Sequence, residues 1–343
     1  MARVLLTGGS GFIAAYLLDQ LLEKGYSIVT TVRSSEKGEK ILKEHAKYGK
    51  DKLDYVIVED IAAENAFDTA VKSDPPFEAV FHTASPFHYD VTDVQKELLD
   101  PAIKGTTGIL KSVKAYAPTV KRIVITSSFA SLIDRSKGAW PEHTYSEADW
   151  CPLTLEEALS NPTPGYTASK TFAEKAAWAF LENEKPNFDI VTINPPAVLG
   201  PVAPWMNSLA ATNTSNQRIL NFIQGQAKDE IPYSGVFFWV DVRDVATAHV
   251  QALEVAEAGK KPGRFFTTAG HFSNKEIVEV IRKNFPEYKD QLPAPEAKGQ
   301  GDYPAEGIYQ YDNSRVREIL GVKFRSLEES VVDTVKSLKA VGA

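Results

Sequence analysis

The chain has 343 residues, of which 43% are hydrophobic and 24% are charged, a composition typical of ordinary globular proteins. Its formal net charge is −7 and it has no Lys/Arg-rich cluster, so we do not expect a nucleic-acid partner. Cys151 is the only cysteine, which excludes an intramolecular disulfide, and the six histidines are too scattered to suggest a metal site. No apolar run approaches membrane-spanning length, so we expect no membrane contact and a cytoplasmic location.

Up to Pro195, short apolar runs alternate with amphipathic stretches. The apolar runs predict strands at residues 4–6, 28–32, 55–58, 79–82, 122–126 and 190–193. Helical periodicity lies between them, at residues 36–47, 93–116 and 168–184 among others. Runs that are almost entirely Val and Ile are typical of strands buried on both faces. The sequence therefore predicts an α/β protein with a doubly wound parallel sheet and helices on both of its faces.

Beyond Pro195 the proline and polar content rises and the pattern becomes less regular. We expect strands at residues 237–240 and 264–268, a helix from Val242, and further helices at 273–284 and 327–339. Residues 1–195 are predicted to form the main domain, joined by a returning segment at about 236–258. Residues 196–343 are predicted to form mainly a smaller C-terminal lobe.

A glycine turn separates the first predicted strand from the first predicted helix. Gly8 would permit a tight turn, Gly11 would let backbone amides approach a pyrophosphate, and Ala14 is small enough for close helix packing. The Gly-x-x-Gly-x-x-Ala spacing departs from the more familiar Gly-x-Gly-x-x-Gly. The strand before the turn and the helix after it are the context that a dinucleotide site requires.

The end of the second predicted strand indicates which dinucleotide is bound. A carboxylate there would accept a hydrogen bond from a ribose 2′-hydroxyl and would repel a 2′-phosphate. This strand ends instead in Arg33, and Lys37 follows one turn later. Because a guanidinium accommodates the 2′-phosphate, we predict NADP(H) rather than NAD(H) as the cofactor.

Tyr166 and Lys170 are four residues apart in a segment with a helical pattern. Residues at this spacing share one face of a helix, so the Lys170 ammonium can lie beside the Tyr166 phenol. A nearby cation favours the ionised form of a phenol, which makes Tyr166 a usable proton donor near neutral pH. Together with the glycine turn, the pair indicates a catalytic site.

Residues suited to binding or catalysis follow each of the six predicted strands of the main domain. In chain order they are Gly8, Arg33, Asp60 with Ile61, Thr83 with Ala84, Ser127 with Ser128, and Asn194 with Pro195. Ligands of a doubly wound sheet bind beyond the carboxyl ends of its strands. We therefore expect these residues to meet at one site.

Four segments together resemble the extended short-chain dehydrogenase/reductases: Thr7-Gly-Gly-Ser-Gly-Phe-Ile-Ala14, Thr126-Ser-Ser128, Tyr166-x-x-x-Lys170 and Asp241-Val-Arg-Asp-Val245. Within that family the chain is similar to the dihydroflavonol 4-reductase-like branch. It is most similar to fungal and yeast NADPH-dependent methylglyoxal and aldehyde/ketone reductases, through residues 31–34, 81–87, 169–178 and 241–244. The resemblance spans nearly the whole chain and implies a Rossmann domain with a small C-terminal substrate-binding lobe.

The resemblance also implies a reaction and its residues. The reaction would be NADPH-dependent reduction of aldehydes or ketones to alcohols, by hydride transfer at a triad of Ser128, Tyr166 and Lys170, with Ser127 as the alternative serine. The residues implied to contact the cofactor are Gly8, Gly11, Phe12 and Ile13 at the pyrophosphate, Arg33 and Lys37 at the 2′-phosphate, Asp60 and Ile61 at the adenine, and Thr83, Ala84, Tyr166, Lys170, Pro195 and Val198 around the nicotinamide.

Aromatic residues near these motifs predict an apolar pocket suited to aryl or alkyl carbonyl compounds. The predicted pocket residues are Phe87, Phe129, Ala197, Trp205 and Phe237. Ala197 and Phe129 are where the chain departs from its relatives, some of which have Tyr at the position of Ala197. Substrate scope is therefore open.

Other functions share parts of this pattern. A nucleotide-sugar epimerase or dehydratase would have the same glycine turn and Tyr/Lys pair, but it would need polar and basic groups for a sugar diphosphate and would recycle its cofactor. A hydroxysteroid-type dehydrogenase would run in the oxidative direction. A non-catalytic NADP-sensing regulator would bind a protein partner, and such proteins typically lack the Tyr/Lys pair. The favoured partner is a small carbonyl compound, and the expected assembly is a monomer or homodimer.

Overall fold

The computed structural model describes residues 2–85, 93–160, 162–206, 208–209, 212–297, 299 and 301–343. Seven parallel strands form the main sheet in the order β3-β2-β1-β4-β5-β7-β10. They are β1 (Arg3–Thr7), β2 (Ser27–Val32), β3 (Leu53–Ile57), β4 (Ala79–His82), β5 (Arg122–Thr126), β7 (Asp189–Asn194) and β10 (Arg264–Phe266). The doubly wound parallel sheet predicted from the sequence is confirmed.

Helices cover both faces of this sheet. On one face lie α1 (Phe12–Glu23), α2 (Ser35–Glu44) and α7 (Val242–Glu254), and on the other lie α3 (Asp100–Tyr116) and α5 (Pro162–Glu184). The central strand shows why both faces are needed. Val4 and Leu6 pack into one hydrophobic core and Leu5 packs into the other, and all three are fully buried. Such burial stabilises the fold by about 1.5–3 kcal/mol for each large aliphatic side chain.

The chain reverses its direction of winding at β1, which pairs with β2 on one side and with β4 on the other. In open parallel sheets the crevice beyond the carboxyl ends of the strands at this switch point is the usual ligand site. The glycine turn after β1 and the segment after β4 both lie there. The topology therefore places the predicted site residues at one edge of the sheet.

The last strand of the main sheet corrects one expectation. The sequence analysis placed residues 264–268 in the C-terminal lobe, whereas Arg264, Phe265 and Phe266 pair with β7 at the edge of the main sheet. All three side chains are buried, which suits an edge strand that is covered on both faces. The returning helix α7 packs against α1, as its apolar pattern predicted.

The remaining elements form a smaller layer beside the main sheet. A three-stranded sheet contains β8 (Ala197–Leu199), β9 (Phe238–Asp241) and β11 (Gly270–His271), with β8 parallel and β11 antiparallel to β9. Packed with it are α6 (Thr214–Ile223), α8 (Asn274–Asn284) and α10 (Leu327–Ala340). The other short elements are β6 (Thr144–Tyr145), β12 (Gln310–Tyr311), α4 (Leu155–Ser160) and α9 (Ser314–Glu318).

Two helices differ from their predicted bounds in ways that concern the site. The predicted helix at 93–116 is a π-helical turn, Gln95–Leu99, that continues into α3. The predicted helix at 168–184 begins six residues earlier, at Pro162, so Tyr166 lies inside it. Proline fits the first turn of a helix because the amide hydrogen it lacks has no partner there. No helix among the described residues is long and apolar enough to cross a membrane.

Candidate active site

The glycine turn after β1 brings the N-terminus of α1 to the crevice. Gly8 has a φ of +75°, a left-handed conformation that favours glycine, and its N–H donates to Thr31 Oγ1 at 3.0 Å. A Cβ at Gly9 would lie 1.9 Å from Thr30 Oγ1, so only glycine allows the turn to lie this close to β2. The first turn of α1 then presents Gly11, which caps the helix without using a side chain. Free amides at a helix N-terminus are suited to a phosphate.

The carboxyl end of β4 is tied to β1 by hydrogen bonds. Thr83 Oγ1 donates to the Thr7 carbonyl oxygen at 2.6 Å, and the Ala84 N–H donates to Thr7 Oγ1 at 3.1 Å. The same Thr7 hydroxyl is 2.9 Å from Nδ1 of His82. Burial lowers the pKa of His82 to about 3, and the nearby Lys170 adds to this, so the imidazole is neutral. Thr83 and Ala84 are thereby held beside the glycine turn.

Between α1 and α5 lies a cleft of about 250 Å³, here called the central cleft. Its lining comes from both the main sheet and the smaller layer: Gly11, Phe12, Ile13, Ala14, Thr83, Ser85, Thr126, Ser127, Ser128, Tyr166, Lys170, Pro195, Pro196, Val198, Asn213, Thr214 and Ser215. The three predicted catalytic residues and six further predicted cofactor contacts therefore line one cleft. Ala84 lines a small cavity of about 20 Å³ next to it, which Lys170 also borders.

Lys170 is in an environment that favours the loss of its charge. Burial lowers the pKa of Lys170 to about 8, and the Glu174 carboxylate one turn further along α5 partly opposes that effect. Tyr166, one turn earlier, lines the same cleft. Both side chains therefore line one cleft on the same helix, and the contact between the ammonium and the phenol stays a prediction.

The two candidate serines after β5 differ in what their hydroxyls do. Ser127 is buried, and its hydroxyl donates to Glu174 Oε2 at 2.5 Å. Ser128 caps the short helical turn Phe129–Ser131, where its Oγ accepts from the Ala130 N–H at 3.1 Å. Accepting a hydrogen bond leaves the Ser128 proton available for donation into the cleft. The geometry therefore favours Ser128 over Ser127 as the serine that would contact a substrate.

The predicted 2′-phosphate residues lie at the same edge of the sheet. Arg33 follows β2 and is exposed, and Lys37 lies in the first turns of α2. Within the part of the chain that the structure describes, neither side chain has a hydrogen bond or ion pair, so both cations are available to an anion. Asp60 is exposed and accepts from the Ala62 N–H at 2.8 Å, while Ile61 packs against Gly105 of α3.

A second cleft of about 170 Å³, here called the side cleft, adjoins the first and shares Ser128, Tyr166, Pro196, Thr214 and Ser215 with it. The rest of its lining is Phe129, Ala130, Ile133, Arg135, Ala197, Arg218 and Val236. Phe129 and Ala197 therefore line a cleft next to Ser128 and Tyr166, and their contact with a substrate stays a prediction. The lining of the side cleft is less apolar than predicted, because it includes four hydroxyl groups and the guanidinium groups of Arg135 and Arg218.

Two predicted pocket residues among the described residues, Trp205 and Phe237, are not part of this lining. The ring of Trp205 packs on the imidazole of His45, with 5.4 Å between ring centroids. Phe237 is buried among the rings of Tyr233, Tyr303 and Tyr309. The predicted pocket lining is therefore wrong at Trp205 and Phe237. Their side chains pack against neighbouring rings and do not line either described cleft. Phe87 lies outside the described residues.

Several lining residues were missed by the sequence analysis. Thr214, Ser215 and Arg218 belong to α6, which was not predicted because its segment follows a polar, irregular stretch. Arg135 follows the Ser128 turn and is exposed. Beneath the cleft, Glu174 is buried next to Arg264. Of these residues, only Glu174 could have been noticed in the sequence. It lies two turns after Tyr166 on the same face of α5, and a carboxylate is unusual on a helix face that should be buried. Among the described residues, no group of His, Cys, Asp and Glu side chains is suited to a metal.

Residues 4–266 match the family described as the NAD dependent epimerase/dehydratase family. The chain is a member of that family. This match agrees with the strand, glycine turn and helix at the N-terminus and with the Tyr/Lys pair on α5. It also leaves the activity open, since the family includes epimerases and dehydratases.

Similar proteins narrow the comparison. The chain is 50% identical over 339 residues to a ketoreductase, azaE, of Aspergillus niger, which covers 98% of this chain and 97% of that protein. It is 42% identical to the putative NADPH-dependent methylglyoxal reductase GRP2 of Candida albicans, over 98% of both chains. The crystal structure of Gre2 from Candida albicans in complex with NADPH superposes with a TM-score of 0.92, at 37% identity and full coverage of both chains. These matches confirm the resemblance to fungal NADPH-dependent carbonyl reductases.

Proposed function

We propose that this protein is an NADPH-dependent carbonyl reductase that converts aldehydes or ketones to alcohols. Its similarity to a ketoreductase and to a methylglyoxal reductase along nearly their full lengths supports this activity. The observation that carries the proposal is that Ser128, Tyr166 and Lys170 line one cleft with the N-terminus of α1. Proton donors and a phosphate-binding helix end then face the same space.

The residues at the crevice fit NADPH. Gly11 has no side chain to block the approach of a pyrophosphate to the cleft, and the amides of Phe12 and Ile13 at the start of α1 would hold it. Arg33 and Lys37 would bind the 2′-phosphate by charge-assisted hydrogen bonds. Asp60 and Ile61 would flank the adenine. Thr83, Ala84, Pro195 and Val198 would surround the nicotinamide end, next to the three catalytic side chains.

When bound, NADPH supplies the hydride that reduces the carbonyl carbon. Ser128 would donate a hydrogen bond to the carbonyl oxygen and so hold the substrate in place. Tyr166 would give its phenol proton to that oxygen as negative charge develops there. Lys170 would stabilise the resulting phenolate and bind the nicotinamide ribose. Donors fixed in advance act mainly on the transition state, because they need not reorganise when charge appears.

The side cleft is the proposed substrate site. It adjoins Ser128 and Tyr166, and it combines the apolar surface of Phe129, Ile133 and Val236 with polar groups. A carbonyl compound with an apolar substituent and at least one polar group would match both parts of this lining. We propose aldehydes, α-dicarbonyls, β-keto esters and aryl ketones as the classes to compare.

The proposal is tested by the stoichiometry of cofactor use. Purified protein is supplied with NADPH and each carbonyl class, and both the decrease in NADPH absorbance and the alcohol formed are measured. A reductase consumes one NADPH for each alcohol. An epimerase or dehydratase would convert a nucleotide sugar without net loss of cofactor, and that result would overturn the proposal.

A further inference from the structure

The buried carboxylate of Glu174 lies directly beneath the candidate site. It is on α5, one helical turn after Lys170, and it is only 2% exposed. Oε2 accepts from Ser127 at 2.5 Å, from Ser131 at 2.6 Å and from Asn194 at 2.8 Å. Oε1 accepts from the Arg264 Nε at 2.6 Å, with Thr192 and Trp178 at 3.2 and 3.4 Å. The Arg264, Asn194 and Trp178 nitrogens can only donate, and the three hydroxyls can do so too, which favours the ionised carboxylate.

The ionised state is consistent with these surroundings. Burial by itself would raise the pKa of Glu174, but the Arg264 guanidinium and the hydroxyl donors outweigh it and hold the pKa below its usual range. Arg264 is also buried, and its Nη1 donates to the carbonyl oxygens of Glu147 and Asp149 at 2.6 and 2.7 Å. The pair is therefore fixed on both sides rather than being a loose surface contact.

The partners of Glu174 surround Ser128. Ser127 precedes Ser128 in the chain, and Ser131 is the last residue of the short helical turn that Ser128 caps. Ser131 Oγ lies 2.8 Å from the Ser128 carbonyl oxygen as well as 2.6 Å from Glu174, so its single proton is placed between two acceptors. Asn194 Nδ2 is 3.4 Å from the same carbonyl oxygen. One carboxylate on α5 thus fixes the backbone that carries Ser128.

The same carboxylate also acts on Lys170. Both side chains border the small cavity beside the central cleft. The negative charge of Glu174 raises the pKa of Lys170 against the effect of burial. Removing that charge would leave the Lys170 ammonium in a buried place with less compensation.

We propose that Glu174 is the positioning residue of this site: it fixes Ser128 relative to Tyr166 and Lys170 and places a negative charge on the cavity that Lys170 borders. This inference rests on the proposed reductase activity. If Glu174 only formed a structural ion pair, its replacement would change stability alone. A positioning role requires that the replacement also changes catalysis and its pH dependence.

The test compares Glu174→Gln with the wild-type enzyme, by kcat and KM as a function of pH and by NADPH affinity. We expect kcat to fall by about a hundredfold, as it does when reacting groups are misplaced by about 1 Å. We also expect the alkaline limb of the kcat profile to move to lower pH by about one unit, because Lys170 loses a compensating charge. Asp189→Asn is the matched control. It breaks the Arg122–Asp189 pair at the opposite end of the same sheet, and kcat and the alkaline limb should stay as in wild type.

A second variant separates position from charge and covers a failure of Glu174→Gln to fold. Ser131→Ala keeps both the carboxylate and Arg264, so it should lower kcat while leaving the alkaline limb in place. Unchanged kcat in Ser131→Ala, or wild-type kcat and pH profile in a folded Glu174→Gln, would overturn the inference. An equal loss of kcat in Asp189→Asn would do so too. A wild-type protein that oxidises no NADPH with any carbonyl would instead overturn the proposed function itself.

Discussion

At the scale of single residues, two neighbouring hydroxyls have separate tasks. Ser127 turns inward and donates to Glu174, while Ser128 lines both clefts. Both serines line the central cleft, but the Ser127 hydroxyl donates to Glu174, and of the two it is Ser128 that also borders the side cleft. This division follows from the alternation of side chains at the end of β5, where successive residues point to opposite sides.

Replacing Ser128 tests that division. Ser128→Ala should lower kcat by about a hundredfold to a thousandfold, the usual effect of losing one donor to a developing oxyanion. KM should change much less, since the donor acts mainly in the transition state. Steady-state kinetics of NADPH oxidation give both values. Ser128→Thr keeps the hydroxyl and should recover part of the loss, and a fall in Ser128→Thr as large as in Ser128→Ala would argue against a role for the hydroxyl.

At the scale of elements, α5 and α6 form opposite walls of the site. α5 contributes Tyr166 and Lys170 from the side of the main sheet, and α6 contributes Thr214 and Ser215 from the smaller layer. Val236 lies in the side cleft, on the segment that leads into β9. The proposed substrate site therefore includes residues of the smaller layer, whereas the proposed catalytic groups lie on α5 and just after β5.

Narrowing the side cleft should change substrate preference. We expect Val236→Phe to lower kcat/KM for aryl ketones by about tenfold or more, because added volume there competes with a bulky substituent. Small α-dicarbonyls should be reduced nearly as well as by wild type, and NADPH affinity should be unchanged. Val280→Phe on α8, outside the described lining of both clefts, is the control for added bulk. Equal losses for large and small substrates would show that the side cleft does not hold the substrate.

The same elements show what the sequence could predict. The glycine turn and the position of Tyr166 and Lys170 on one helix depend on residues close together in the sequence. The local pattern was therefore sufficient to predict both features. The network beneath them was not predictable, because Arg264 and Glu174 are 90 residues apart and meet only through the pairing of β10 with β7. The positions of Trp205 and Phe237 were missed for a related reason, since an aromatic side chain near a motif packs wherever tertiary contacts leave space.

At the scale of the whole molecule, the site lies between the main sheet and the smaller layer. The chain carries a net charge of −7, yet it places Arg33, Lys37 and Lys170 around the proposed cofactor site. Cations at the carboxyl edge of the sheet would attract a phosphate-rich ligand despite the overall negative charge. Because NADPH would bind the folded protein and not the unfolded chain, cofactor binding should raise the free energy of unfolding.

Thermal unfolding with added cofactor tests this coupling. At about 100 times its Kd, NADPH should stabilise the protein by about 2.7 kcal/mol and raise Tm accordingly. NADH at the same concentration should have a much smaller effect, since it lacks the phosphate that Arg33 would bind. Arg33→Ala should remove most of the difference between the two cofactors, whereas Lys43→Ala, which removes an exposed cation at the far end of α2, should not. Equal Tm shifts with NADH and NADPH in wild type would contradict the assigned phosphate site.

In the proposed mechanism the Tyr166 phenol gives its proton to the carbonyl oxygen, with the Lys170 ammonium beside it. The most direct measurement is single-turnover NADPH oxidation by Tyr166→Phe, with NADPH affinity measured on the same sample. We expect the rate to fall by about a hundredfold to ten-thousandfold, the usual contribution of a positioned acid, while NADPH affinity is retained. A variant that binds NADPH normally and still reduces the carbonyl at the wild-type rate would contradict this mechanism.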